Sequence, residues 1–149
     1  MTLKAQISDD MKTAMKAGDK DRLKVVRLIR AAIKQIEVDK RIELDDAAVL
    51  GVLDKMVKQR RDSVSQFTDG GRQDLVDIEL AEIKVLEGYL PERLSDAELN
   101  AIIDQAIKDS AAESIRDMGK VMGQVKAKAA GRADMGAVGA KVKERLGAA

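Results

Sequence analysis

The sequence lacks three residue types that carry much of protein chemistry: it has no cysteine, no histidine and no tryptophan. Without cysteine there is no disulfide framework and no thiol nucleophile, and without both cysteine and histidine the usual zinc ligand sets are missing. The lack of histidine also excludes a Ser-His-Asp triad. The composition therefore predicts a protein that has no catalytic residues of these classes and binds no metal or cofactor.

Aromatic residues are nearly absent, because Phe67 and Tyr89 are the only two. So few rings cannot build the stacking platform with which single-strand binders hold bases. A bound nucleic acid would therefore be a structured one, a duplex or a tRNA body, held through its backbone. The formal net charge of +1 gives no indication of a polyanionic partner.

Long apolar segments are also missing. No part of the chain approaches the roughly 18 uncharged apolar residues of a membrane-spanning helix, so we expect no membrane association. The N-terminal region mixes Lys4, Asp9, Asp10 and Lys12, which does not fit a secretory signal. Together with the absence of cysteine, these features predict a cytoplasmic protein.

The residues that are abundant favour helices: Ala, Leu, Lys, Glu, Arg, Met and Gln dominate the chain, and there is one proline. Apolar residues recur at helical spacing and the pattern breaks at Gly18, at Gly70-Gly71 and at Pro91. The sequence therefore predicts an all-α protein, with an N-terminal bundle of about four helices followed by a small three-helix C-terminal domain. The predicted helices cover about residues 3–17, 19–41, 46–69, 73–90, 95–110, 117–130 and 134–146.

A domain boundary is predicted just after the proline. Residues 1–91 would form an N-terminal helical domain and residues 95–149 a three-helix domain, which fits a chain of 149 residues. Ser95 and Glu98 have the spacing of a capping box and mark the start of the second domain. A unit of about 55 residues is small enough for its independent stability to be marginal.

Two carboxylates of the fourth helix, Glu79 and Glu82, share a face. Paired carboxylates can perform acid–base chemistry when their pKa values are pushed apart. However, Arg60 lies on the apolar face of the third helix, where an unpaired charge would cost on the order of 3–5 kcal/mol. We therefore expect structural ion pairs between these carboxylates and the basic residues Arg60 and Arg61.

Gly119 and Gly123 stand four residues apart on the sixth helix. In a bilayer this spacing is typical of a helix dimer face. In this chain we expect it to allow the backbone of another helix to approach closely.

Charge is distributed unevenly along the chain. Residues 69–98 carry a net charge of −6, whereas residues 116–149 carry +5. The basic side chains of the second segment could contact phosphates, and the N-terminus of the last helix offers backbone donors there, although an ordinary solvated face is the alternative. The candidate nucleic-acid-binding residues are Lys120, Lys126, Lys128, Arg132, Lys141 and Lys143. A second basic face, with no partner indicated, comprises Lys20, Lys24, Arg27 and Lys34.

Several segments together resemble the YqeY-like family, small bacterial proteins of the GatB/YqeY group. The resemblance lies in the run Lys58-Gln59-Arg60-Arg61-Asp62-Ser63, in Gly70-Gly71-Arg72, in Tyr89-Leu90-Pro91, and in the C-terminal runs Met118-Gly119-Lys120-Val121-Met122 and Gly131-Arg132-Ala133-Asp134. The C-terminal runs resemble a tail shared with GatB, the B subunit of the glutamine-dependent aminoacyl-tRNA amidotransferase. The resemblance covers essentially the whole chain.

The resemblance implies an all-helical, two-part protein whose C-terminal unit is like the helical tail that contacts tRNA in the amidotransferase. Through that tail it also implies a link to carbon–nitrogen ligase chemistry with glutamine as amide donor, an association by analogy. The sequence itself shows no recognisable ATP site, metal-ligand cluster or ammonia-handling residues.

Three functional hypotheses follow. In the first, the chain is a non-catalytic accessory module, expected to be a monomer, that binds tRNA or a tRNA-handling complex through residues 116–145. In the second, it is a protein-interaction adaptor that docks through the acidic stretch 69–98 or through the face of Gly119 and Gly123. In the third, it is an amidotransferase-related enzyme that depends on Glu79 and Glu82.

Overall fold

The chain forms two compact units in this computed structural model, Met1–Pro91 and Glu92–Ala149. The structure describes residues 1–147. Over this range the regular secondary structure is helical and contains no strand, so the predicted all-α class is confirmed. None of the helices in the described range is long and apolar enough to cross a membrane.

The first unit contains four helices whose boundaries follow local sequence signals. Thr2 and Asp45 cap helix N-termini through their side-chain oxygens, and Gly18 ends the first helix in the left-handed conformation at φ 68°. The fourth helix stops three residues before its predicted end, because a turn precedes the proline that cannot continue a helix. The helices are α1 (Leu3–Ala17), α2 (Lys20–Lys40), α3 (Asp46–Asp69) and α4 (Gln73–Glu87).

The core of the first unit is aliphatic. α3 and α4 pack extensively as a hairpin across the Gly70-Gly71 turn, and α1 packs on α2. These helices bury one face each, as their apolar spacing predicts. The most deeply buried side chains are Ile7, Val26, Ile29, Val49, Leu53 and Leu86.

Over its described residues, 92–147, the second unit contains three α-helices and a short 3-10 turn over Ile115–Asp117. The predicted capping box is formed, since the Glu98 amide donates to Ser95 Oγ at 3.1 Å and the Ser95 amide donates to Glu98 Oε1 at 3.3 Å. The helices are α5 (Asp96–Asp109), α6 (Met118–Ala129) and α7 (Met135–Gly147).

α6 lies at the centre of the second core, in contact with both α5 and α7. Its buried residues recur every four positions and meet a similar row on α7. This packing fixes which sides of α6 and α7 remain in solvent. The buried side chains of the two helices are Val121, Val125, Ala129, Val138, Val142 and Leu146.

Candidate nucleic-acid interface in the C-terminal unit

Four of the predicted phosphate-binding lysines lie exposed on the second unit. α6 presents Lys120, Lys126 and Lys128, and α7 presents Lys143. Within residues 1–147, none of the four has a carboxylate within 4 Å. Their charges are therefore available to an external anion.

The other two predicted residues serve the unit itself. Arg132 Nε donates to the Glu92 carbonyl at 2.9 Å, and the Arg132 carbonyl accepts from the Leu94 amide at 2.9 Å. Lys141 Nζ pairs with Asp96 Oδ1 at 3.4 Å. Arg132 and Lys141 are only partly exposed and are bonded within the unit, which distinguishes them from the four exposed lysines.

The lysines of α6 surround its outer side. At about 100° per residue, Lys120 and Lys126 project about 120° apart around the helix axis, and Lys126 and Lys128 project about 160° apart. The three cations therefore point in different directions around the helix and do not form a single narrow row. Such an arrangement can meet phosphates that approach from more than one direction.

The two glycines of α6 correct a sequence-based expectation. Gly119 and Gly123 are exposed, and a Cβ built on either one would meet no atom of a neighbouring element within 4 Å. The predicted close approach of another helix is therefore not formed. A glycine that does lie against a neighbouring helix is Gly139 on α7. The methyl groups of Met118 and Met122 on α6 come within 3.9 Å of a Cβ built on Gly139.

The glycines lie on the outer face between the Lys120 and Lys126 directions, together with exposed Ala127. This part of α6 therefore has no bulky side chain between two lysines. A large partner can therefore approach α6 between the two cations without meeting a bulky side chain of this helix.

The N-terminus of α7 is already occupied by the chain's own carboxylate. The Gly136 amide donates to Asp134 Oδ1 at 3.1 Å. This amide is therefore already bonded within the chain, and the negative charge of Asp134 weakens the attraction of this helix end for an external anion.

The predicted ion pairs of the first unit are formed only in part. Arg60 Nε lies 2.9 Å from Glu82 Oε2, and Lys24 Nζ lies 3.4 Å from the other oxygen of the same carboxylate. Arg61 pairs with Glu87 at 2.6 Å. Glu79 has no basic partner within 4 Å in the described range, so the expected pairing of this carboxylate is not formed.

One polar contact of the first unit has no signal in the sequence. Tyr89 Oη donates to Asp10 Oδ2 at 2.5 Å, across 79 positions of the chain. Burial is the main cause that raises the pKa of Tyr89, and together with the hydrogen bond to Asp10 it brings this pKa to about 12.

A second ion pair joins α1 to the end of α2. Glu37 accepts from Lys4 Nζ at 2.8 Å and from the Leu44 amide at 2.8 Å. The hydrogen bond from Lys4 is the main cause that holds the pKa of Glu37 below its usual value. Among the residues that the structure describes, no three carboxylates converge in a way that could hold a metal ion.

Comparison with known proteins gives one consistent result. The family model described as Yqey-like protein matches residues 4–146. A relative from Pyrenophora tritici-repentis is 31% identical over 146 residues, which covers 96% of this chain and 80% of the relative. A relative from Kluyveromyces lactis is 40% identical over 86 residues (57% of this chain, 46% of the relative), and one from Lachancea thermotolerans is 32% identical over 108 residues (70% and 58%).

All three relatives are named altered inheritance of mitochondria protein 41, mitochondrial. The cytoplasmic location predicted from the sequence is contradicted by these names and is wrong on this comparison. The mixed N-terminal charges and the missing cysteines on which it was based argue against secretion, but they do not distinguish the cytosol from an organelle. For two of the three relatives the chain covers less than two thirds of their own length.

Proposed function

The chain belongs to the YqeY-like family, and from that premise we propose that it is a non-catalytic accessory module that binds structured RNA of the tRNA type. The observation that carries the proposal is the set of four exposed lysines on α6 and α7 that have no carboxylate within 4 Å among residues 1–147. They are Lys120, Lys126, Lys128 and Lys143.

The chemistry of the surface favours contacts with phosphates. Lysine ammonium groups attract the backbone without reading the bases, and the unit offers no aromatic side chain for base stacking. Binding would therefore be sensitive to salt and tolerant of sequence. The resemblance of this unit to the tRNA-contacting tail of the amidotransferase supports the same class of ligand.

The test is a titration of fluorescently labelled bulk tRNA with the full-length protein at several salt concentrations. We expect substitution of Lys120, Lys126, Lys128 and Lys143 by Gln to weaken binding at least about tenfold and to reduce the salt slope by about 3, since each lost phosphate contact removes roughly 0.7–0.9. Gln keeps the side chain long and polar and favours the helix, so the fold is retained.

The matched control removes four exposed lysines of the first unit that also have no carboxylate within 4 Å in the described range. These are Lys12, Lys16, Lys40 and Lys55. Because the change in net charge is the same, an equal loss of affinity in both variants would contradict the proposal. Absence of tRNA binding at low salt would contradict it as well.

A second candidate function, a protein-interaction adaptor, is favoured by a groove of about 410 Å³ between α2 and α4. Its apolar lining includes Ile78, whose side chain is half exposed, with Ala81 and Val85 beside it. Its charged lining has four carboxylates, including Asp21 and Asp77, against two basic side chains, Arg22 and Lys24. This combination suits a basic amphipathic helix, which would place its apolar face in the groove.

This candidate is tested by recovery of a protein partner after nuclease treatment. The variant Ile78→Ser should abolish recovery, whereas Val38→Ser, at a side chain that is 62% exposed outside this groove, should preserve it. If nuclease treatment removes the partner, or if both variants recover it equally, the adaptor hypothesis is wrong.

A further inference from the structure

The outward face of α2 carries a continuous row of cations. Five basic residues lie within an arc of about 120° over four turns of the helix. The carboxylates of α2 lie outside this arc or face α1, so none interrupts it. We name this row the α2 basic stripe; it comprises Lys20, Lys24, Arg27, Arg30 and Lys34.

Lys24 pairs with Glu82 at 3.4 Å, whereas the other four members of the stripe have no carboxylate within 4 Å in the described range. Three of these four, Lys20, Arg27 and Lys34, are exposed and are spaced seven residues apart. Seven residues advance the helix by about 10 Å and almost two full turns, so the three cations point the same way. They form a straight line about 21 Å long.

The neighbouring groove has the same sign of charge. Arg27, Arg30 and Lys34 line an open groove of about 760 Å³ between α1 and α2. The single carboxylate among its lining residues is Glu37, which is already held by Lys4 at 2.8 Å. An anion on this side of α2 therefore meets cations without a competing free carboxylate.

We propose that the α2 basic stripe binds the phosphate backbone of a nucleic acid. A straight, regularly spaced row of cations is complementary to a polymer with regularly spaced charges, and it releases counterions on binding. The inference does not depend on the C-terminal unit, since every residue that carries it lies in the first unit.

A membrane surface is the less suitable partner. Helices that bind in the plane of a bilayer insert an apolar face below the headgroups. The apolar face of α2 is already used in the core, where Val25, Val26 and Ile29 are no more than 2% exposed. The large apolar side chains exposed on α2 are Leu28 and Val38, which are 40% and 62% exposed and ten residues apart along the helix. Two such separated side chains do not form an apolar face that could insert into a bilayer.

The experiment measures the affinity of the full-length protein for a short, fluorescently labelled RNA duplex across a range of salt. The variant in which Lys20, Arg27 and Lys34 are all replaced by Gln should bind at least about tenfold more weakly, with a salt slope reduced by about 2–3. The control replaces Lys16, Lys40 and Lys55 by Gln, three exposed lysines on separate helices. Circular dichroism and thermal unfolding verify that both variants fold.

Each outcome decides the inference. The inference is supported if the stripe variant loses RNA affinity and the control variant does not. This holds whether or not the substitutions at Lys120, Lys126, Lys128 and Lys143 also weaken binding. If those C-terminal substitutions have no effect while the stripe variant fails to bind, the proposed function is wrong and this inference stands. Equal RNA affinities of the stripe and control variants overturn the inference. A parallel titration with anionic lipid vesicles tests the membrane alternative: a stripe variant that loses binding to the vesicles but keeps binding to RNA also overturns the inference.

Discussion

Arg60 and Glu82 form an ion pair across the α3–α4 hairpin, with Nε and Oε2 2.9 Å apart and the side chains 14% and 12% exposed. Lys24 reaches the second oxygen of the same carboxylate at 3.4 Å from α2. One carboxylate thus joins three helices of the first unit. A partly buried guanidinium requires such a partner, because a buried charge without one is strongly destabilising.

The first prediction concerns this carboxylate. Glu82→Gln should lower the free energy of unfolding by about 2–3 kcal/mol, because it leaves Arg60 without its charged partner in a site that is mostly shielded from water. Urea unfolding of the full-length protein measures the effect. Glu79→Gln is the matched control: it lies one turn away on α4 without an ion pair in the described range, and should change stability by less than about 0.5 kcal/mol.

Equal losses in the two variants would favour the expectation from the sequence, in which both carboxylates form ion pairs. If Glu79→Gln were the more destabilising one, Glu79 rather than Glu82 would be the partner of Arg60, and the observed pairing would be wrong.

The second prediction uses Tyr89, the single tyrosine of the chain. Tyr89→Phe should lower the free energy of unfolding by about 1–2 kcal/mol, because it removes the hydrogen bond to Asp10 and leaves that carboxylate without its phenolic donor. Chemical unfolding near neutral pH measures the loss.

The same contact predicts a dependence on alkaline pH. The pKa of Tyr89 is raised to about 12 in the folded state by burial and by Asp10, whereas the unfolded value is about 10. The contribution of Tyr89 to the free energy of unfolding is therefore complete below pH 10. It is lost between pH 10 and about 12, where the free energy of unfolding falls by up to about 1.4 kcal/mol per pH unit. Phenolate absorbance reports the ionisation directly; ionisation near pH 10 in the folded protein would contradict the prediction.

Local signals in the sequence predict the helices well. Gly18 and the Ser95–Glu98 capping box act on the residues beside them, so the boundaries at these positions agree with the structure within one or two residues. Apolar spacing likewise predicts which face of a helix is buried. These rules require no knowledge of which helices are neighbours.

The candidate site was less predictable, because its residues depend on tertiary neighbours. The spacing of Gly119 and Gly123 is the same whether the face is packed or exposed, and the structure exposes it. Arginine is a residue type that commonly binds phosphate, but the guanidinium of Arg132 donates to a backbone carbonyl 40 positions earlier. The contact between Tyr89 and Asp10 spans most of the first unit, and no local pattern indicates it.

The third prediction separates structural from binding roles in the C-terminal unit. Arg132→Gln removes the donor to the Glu92 carbonyl and should lower the free energy of unfolding by about 1–2 kcal/mol, while tRNA affinity changes little. Lys128→Gln, at an exposed helix position, should weaken tRNA binding and leave stability within about 0.5 kcal/mol. Urea unfolding measures the stability of both variants, and tRNA titration measures their affinity. If Arg132→Gln weakened tRNA binding and left stability unchanged, Arg132 would be a contact of the RNA and the prediction would be wrong.

The last prediction follows from the exposed glycines of α6. Gly123→Ala should raise the free energy of unfolding by about 0.5–1 kcal/mol, because glycine in a helix interior loses more backbone entropy on folding than alanine, and the added Cβ meets no neighbour within 4 Å. A helix packed closely against this face would give the opposite sign. Gly131→Ala is the contrasting control: Gly131 is buried at φ 72°, a conformation that strains an L-residue, and the substitution should destabilise the protein by about 1 kcal/mol or more. Thermal unfolding of the two variants therefore decides whether the glycine spacing of α6 leaves an open face, as the structure has it, or a seam for another helix.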